Sequence, residues 1–374
     1  MTRRTSALAV AALTAGLLPL GTSAPADAAR PQSVALKISP GIVQNGRSVA
    51  DPDDAFLVGI ATLRPVRKGR FVLVQRRVRG GQWSTVRRAR ESATGRVRFR
   101  EDARRGLKPY LYRVVATRTR DGLPKVASRA QSAASWRLWF SDRFNGGSLN
   151  RDKWDYRQLG IRAGSRMHAQ SNRSAVRVRR GALSLLVRKH PQRPRRYYLN
   201  GHIGTSGKFA FRYGYAAARI KFPEGRGQHG AFWMQPQSAT ARYGSAARTG
   251  SEIDIAEFFG RGTPRGGLGS YVYHYPRPNT VAKSGRVFAT ASRALRGRSD
   301  RWWSRYHVFS VRWTPTGLIF RVDGVEIWRH SRHVSRRPQY LILSLLTSDW
   351  ELPRLDRSTL PTSMKVDWVR VWKK

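Results

Sequence analysis

Three carboxylates crowd into six residues of this chain, in the segment Glu252-Ile253-Asp254-Ile255-Ala256-Glu257. Acids are otherwise scarce: residues 137–374 hold only fourteen, so three together stand out. Like charges this close on one strand repel, which is costly unless chemistry uses the crowding. Strand side chains alternate, so Glu252 and Asp254 share a face while Ile253 and Ile255 point to the core. Strict alternation would send Glu257 inward with the isoleucines. One extra residue, a β-bulge near Ile255-Ala256, returns it to the acidic face. The two glutamates are then about four positions apart, ~13 Å along the strand. Long side chains leaning inward can reach the ~5–5.5 Å separation that double displacement at a sugar requires. Asp254, lodged between them, can hydrogen-bond one glutamate and push their acid strengths apart. A solvated acidic edge strand and a calcium site are the other readings of the same pattern.

The elements around this segment read as strands. From residue 137 onward aromatic-rich alternating runs recur at 215–222, 231–235, 251–258, 306–313, 318–322 and 364–372, and helical periodicity is nearly absent. Asp323-Gly324 between two such runs marks a tight hairpin. In the last run alternation puts Val366, Trp368, Arg370 and Trp372 on one face, and Lys365, Asp367, Val369 and Val371 on the other. The unit is therefore all-β and antiparallel, and a jelly-roll sandwich fits it. Residues 30–132 differ in texture. Shorter candidate strands at 34–38, 56–61, 71–78, 95–100, 110–117 and 126–131 alternate with turns, including Gly80-Gly81 before Trp83. That spacing predicts a small sandwich of about seven strands, of immunoglobulin or fibronectin type. The small, polar residues near 130–135 mark a seam, with 133–136 as the linker.

The first residues read as a leader. Arg3 and Arg4 precede an uncharged apolar run at 7–20, and Ala26-Asp27-Ala28 is a small-x-small pattern. This predicts a secretory signal peptide over residues 1–29 and an extracellular protein, with no membrane span. Cysteine is absent, which excludes disulfides, thiolate metal sites and cysteine nucleophiles. The formal charge is +49, from 71 basic and 22 acidic residues. Twelve of the basic residues are Lys and 59 are Arg, spread along the whole chain as in Arg96-Val97-Arg98-Phe99-Arg100. Such dispersion favours solvated strand faces, with electrostatic adhesion to a cell wall or anionic glycan as a side effect, over a dedicated nucleic-acid arm.

The sequence resembles glycoside hydrolase family 16, which includes laminarinases, lichenases and agarases. The bulged acidic segment 252–257 carries the resemblance, and other stretches are similar in the family's order. They are Gly204-Thr205-Ser206-Gly207-Lys208-Phe209, residues 213–223, Gly230-Ala231-Phe232-Trp233-Met234, residues 307–317, and Val366-Asp367-Trp368-Val369-Arg370-Val371. The resemblance spans residues 137–374. It implies a concanavalin-like β-jelly roll with a glycan cleft, cleaving β-linked polysaccharide with retention: β-1,3- or mixed-linkage glucan, or a galactan. It implies Glu252 as nucleophile, Asp254 as its helper and Glu257 as general acid/base. Trp233, His274 and Trp350 are the implied substrate-binding residues, with Arg166 and His229 behind them. Gln228-His229-Gly230 departs from the Trp-Pro that many laminarinases have before this strand. A structural calcium on Asp367 and the carbonyl of Gly181 is implied as well, although Arg143 stands where an acid is common. Catalysis itself needs no cofactor, and a monomer is expected. A lectin on the same architecture, a polyanion-binding or cell-wall-binding protein, and a transglycosylase are the competing functional classes.

Overall fold

Chain alternation and turn chemistry divide the molecule into two sets of sheets, each with its own core. The computed structural model describes residues 32–39, 56–102, 110–132, 137–161, 164–193, 197–261, 267–288, 292, 295 and 299–373. The leader and the 133–136 linker lie outside these residues.

In the N-terminal unit, Ser33–Ser39, Phe56–Arg64 and Arg96–Asp102 form a three-stranded antiparallel sheet. A second sheet is built on Ser84–Arg90, Phe71–Val78 and Tyr110–Ala116, with the two-residue strands Val126–Ala127 and Gln131–Ser132 at its margin. Alternate residues of both sheets, among them Leu57, Ala61, Phe99, Val72, Val74 and Val114, meet in one apolar core. Ser84–Arg90 has no counterpart among the candidate strands, because only Val86 and Ala89 of its seven residues pack against the core.

In the larger unit sixteen strands form one continuous antiparallel-dominated sheet that curls on itself, a jelly roll. One half runs Thr280–Val287, Leu268–Arg277, Glu252–Phe258, His229–Pro236, Gln339–Leu346, Tyr198–Gly204. The other continues through Ala182–Lys189, Thr362–Lys373, Gly214–Lys221, His307–Thr314, Gly317–Val322 and Val325–His330. Tyr198–Gly204 pairs into both halves and joins them. The core between the halves collects Phe232, Met234, Ile253 and Ile255 from one side and Phe309, Val311, Val369 and Val371 from the other. Asp323 and Gly324 both have positive φ, 46° and 80°, as the tight hairpin requires.

The last strand corrects one expectation. Val366 shares the core with Val369 and Val371, whereas Trp368 and Trp372 pack with Tyr215 and Ala217 on the opposite face. The cause is a register shift: Arg219 opposes Trp368 and Ile220 opposes Val366, so Asp367 is an extra residue that reverses the alternation.

Candidate active site

The acidic strand carries its bulge where the sequence predicts it. Against Leu268–Arg277, Asp254 opposes Tyr271 and Glu257 opposes Gly269, so three steps on one strand match two on the other. Against His229–Pro236, Trp233 opposes Asp254 and Phe232 opposes Ala256, which leaves Ile255 as the unmatched residue. Ile253, Ile255, Ala256 and Phe258 are all buried in the core. Glu252 and Glu257 are mostly buried with a part left open to solvent, and Asp254 is buried between them.

Three rows of side chains cross this face. Gln235, Glu252, Tyr273 and Lys283 form the first, Trp233, Asp254 and Tyr271 the second, and Ala231, Glu257 and Gly269 the third. Gln235 Nε2 donates to Glu252 Oε2 at 2.7 Å. The Gln235 carbonyl in turn accepts from Arg157 Nη2 at 2.7 Å and from Tyr340 Oη at 3.0 Å. Arg157 also donates to His202 Nε2 at 3.1 Å. That acceptor must be unprotonated, and burial followed by the charge of Arg157 holds His202 well below its ordinary pKa. Trp233 is half-buried, donates from Nε1 to Ser344 Oγ at 3.1 Å, and stacks at 6.1 Å on His202. Beside Glu257, His229 shares a 2.8 Å hydrogen bond with buried Glu351, whose Oε2 also accepts from the Ser348 amide.

Burial raises all three acids. Glu252 is raised by burial while Gln235 and then Arg157 oppose the shift. Asp254 is driven well above the carboxylate range by burial and by both glutamates, and its Oδ2 makes no hydrogen bond. Glu257 is raised to about 7, by burial and by Glu252, against the opposing charge of His229. The hydrogen bond expected between Asp254 and a glutamate is thus not made through Oδ2. Tyr271 is pushed up to about 12 by burial and by the Glu257 and Asp254 charges, which places its hydroxyl in the same field. A Cβ on Gly269 would meet the Tyr271 ring at 2.7 Å, so the missing side chain is what lets that ring lie beside Glu257.

Trp350 is 53% exposed and stacks at 6.4 Å on His229. Its loop is tied to the residues around Arg166: Met167 and His168 amides donate to the Asp349 carboxylate at 2.8 and 3.1 Å, and the Asp349 amide donates to Ser165 O. Arg166 is half-buried there, its pKa lowered by burial and by Arg157. Trp233, opposite Asp254, and His229, whose charge acts on Glu257, thus lie beside the acids; Trp350 stands behind His229, and Arg166 acts on Arg157 and His229 rather than on the three acids.

His274 does not lie beside the acids. Tyr273 opposes Glu252, so the next residue points to the other face. There His274 is buried and stacks at 4.2 Å on His333. Tyr271 and Tyr273 hold the cleft positions instead, and the alternation in Tyr271-Val272-Tyr273-His274 was the signal for them. Arg157, His202 and Gln235 carried no comparable signal, because only folding brings them to the strand.

The calcium expectation does not fit the residues present. Asp367 Oδ2 accepts from Arg219 Nη1 at 2.8 Å, so a guanidinium already supplies its positive partner. Gly181 lies in a turn at φ 70°. Among the described residues no group of three or more His, Cys, Asp or Glu is arranged to hold a metal ion. No helix of the described residues is long and apolar enough to cross a membrane.

A family model for the glycoside hydrolase family 16 domain of β-porphyranases A to D matches residues 137–374. The chain belongs to glycoside hydrolase family 16. Similar relatives include glucan endo-1,3-β-glucosidase A1 of Niallia circulans, 28% identical over 64% of this chain and 38% of its own length. Another is the keratan-sulfate endo-1,4-β-galactosidase of Sphingobacterium multivorum, 27% identical over 69% of this chain and 62% of its own. The chain thus spans less than two thirds of either relative. Among solved structures, the laminarinase from Rhodothermus marinus superposes with a TM-score of 0.52 at 25% identity, covering 64% of this chain and 97% of that one.

Proposed function

We propose that this family 16 chain is a secreted, endo-acting glycoside hydrolase that cleaves a β-linked polysaccharide by double displacement with retention. One observation carries the reading: a bulged strand presents Glu252, Asp254 and Glu257 on a single face, where Gln235 and Arg157 favour the charged form of Glu252 while burial and Glu252 favour the protonated form of Glu257. Glu257, raised to about 7, keeps a proton for the leaving oxygen. Glu252, hydrogen-bonded by Gln235, attacks the anomeric carbon as a carboxylate. The C–O bond to the leaving sugar breaks as the glycosyl–Glu252 ester forms. Glu257, now deprotonated, takes a proton from water, which attacks the same carbon and frees Glu252. Burial and the two glutamates favour the protonated form of Asp254, which eases the crowding of negative charge between them. Trp233 and Trp350 offer ring faces to sugars on either side of the cut. No cofactor enters this chemistry.

The relatives, a glucan endo-1,3-β-glucosidase, a keratan-sulfate endo-1,4-β-galactosidase and a β-glucanase, support β-glucans and galactans as the polymers to try. The test is release of reducing ends from a panel of purified β-glucans and galactans, with the anomer of the first product read by NMR. Retention on one polymer is the expected result. Binding without release of ends would make the chain a lectin, and an inverted product would remove the covalent step. A transglycosylase would show larger oligosaccharides at high substrate.

Gln235→Leu tests how Glu252 is kept charged. Removing the bond that favours the carboxylate raises the pKa of Glu252. The acidic limb of the pH–rate profile should move up in pH, with kcat down about tenfold, the scale of one charge-assisted hydrogen bond, and KM little changed. An unmoved acidic limb would show that the amide only packs.

A further inference from the structure

The N-terminal unit presents a face whose charges have no acidic partner. Register puts Phe71, Leu73, Gln75 and Arg77 on the side of their strand away from the core, since Val72 and Val74 fill that core. Arg90 opposes Phe71, Arg88 opposes Leu73, and Arg113 opposes Gln75, so four arginines of three adjacent strands share this side. The acids nearby are engaged elsewhere: Asp121 with Arg67, Glu101 with Arg76, and buried Glu91 with the Arg67 amide. Among the described residues none of Arg77, Arg88, Arg90 and Arg113 makes an ion pair. At the centre, Trp83 lies under two guanidiniums, Arg77 at 4.6 Å and Arg113 at 4.4 Å from its ring. Burial, followed by the neighbouring Arg77 charge, lowers the pKa of Arg113. Arg77 Nε is buried and has no hydrogen-bond acceptor. Arg90 covers Phe71 at 4.1 Å in the same manner.

Two like charges held over one indole, with a buried donor left over, are costly until an anion neutralises them. From this geometry we propose that the outer face of this sheet, centred on Arg77, Trp83 and Arg113, binds an anionic polysaccharide. Guanidiniums match sulfate or carboxylate groups bidentately. A nucleic acid would stack its bases on free rings, whereas Trp83 and Phe71 are already covered by arginines. A sugar polymer with charged substituents asks only for the charges. The site rests on charge and geometry in this unit, not on the glycosidase reading, so it stands or falls separately from it.

The experiment uses the full chain carrying Glu252→Gln, so that no polymer is cut during measurement. Binding to a sulfated galactan, to the same galactan after desulfation and to duplex DNA is measured at 50 and 500 mM NaCl. The expected result is salt-sensitive binding to the sulfated polymer, weak binding to the desulfated one, and at least about tenfold weaker binding for Arg77→Gln/Arg113→Gln, the size of one lost charge-assisted contact. Arg177→Gln/Arg179→Gln, which removes the same charge from an exposed strand of the larger unit, controls for the net charge of the chain and should lose much less. Arg88→Gln/Arg90→Gln on the proposed face should also weaken binding if the first pair misfolds. Equal losses for the control pair would reduce the effect to bulk charge and overturn the proposal. Equal binding of the desulfated polymer, or tighter binding of DNA, would overturn it too.

Discussion

Glu252→Gln and Glu257→Gln should each leave a folded protein whose turnover is at least about a thousandfold lower, in the upper part of the range for a positioned acid or base. The two losses differ in kind. Glu257 is needed to protonate a poor leaving group, so an aryl glycoside, whose phenolate leaves unaided, should recover much of the first step in Glu257→Ala. Added azide should then replace water in the second step, giving a glycosyl azide of retained configuration. Glu252→Ala has no carboxylate to form the ester, so azide can attack only the substrate itself and would invert it. Full turnover by either variant on the parental polymer would end the double-displacement reading. The parental pH profile carries the same signature. The acid must be protonated, so the rate should fall as pH rises past about 7, the value to which burial and Glu252 raise Glu257. It should fall again at low pH as Glu252 takes up a proton.

Phe232→Ala is expected to have the second largest effect, on stability. Phe232 has no exposed surface and lies in the core directly behind the bulge, opposite Ala256 on one side and Leu343 on the other. Truncating a buried aromatic to alanine removes its transfer free energy and leaves a cavity, a loss of ~3–5 kcal/mol. For a unit of this size each kcal/mol lowers the melting point by roughly 2–4 °C, so a fall of roughly ten degrees is expected by calorimetry. Activity at 25 °C should fall as well, because the backbone that aims Glu257 loses its support. A shift within about one degree would mean that the core collapses around the gap at little cost.

How far the sequence reached can be judged strand by strand. The bulge was legible because three acids must face one way while Ile253 and Ile255 face the other, and only an extra residue reconciles them. Most strands of the larger unit were legible through aromatic and β-branched alternation. Where parity was set aside, the reading failed: His274 was placed in the cleft by resemblance, although its neighbours Tyr271 and Tyr273 hold the face of Asp254 and Glu252. The faces of the last strand failed for the opposite reason. Strict parity was kept through Asp367, where a second bulge breaks it with no charge pattern to announce it. Ser84–Arg90 escaped because a strand with arginines on its exposed side lacks the apolar rhythm that marks one. The polar chain from Arg157 through Gln235 to Glu252 joins residues 78 and 17 positions apart, and no local rule reports on such contacts.

Gly269 bears on how such a site changes over time. Its backbone φ lies outside the left-handed region, so the chain itself would accept alanine there, and the three atoms nearest the new methyl all belong to the Tyr271 side chain, the closest at 2.7 Å. That ring would have to lift away from the sheet into the space above Glu257. A single methyl group could thereby shut bulky or branched polymers out of the groove while every acid stayed in place, so the breadth of the diet can drift without touching the reaction.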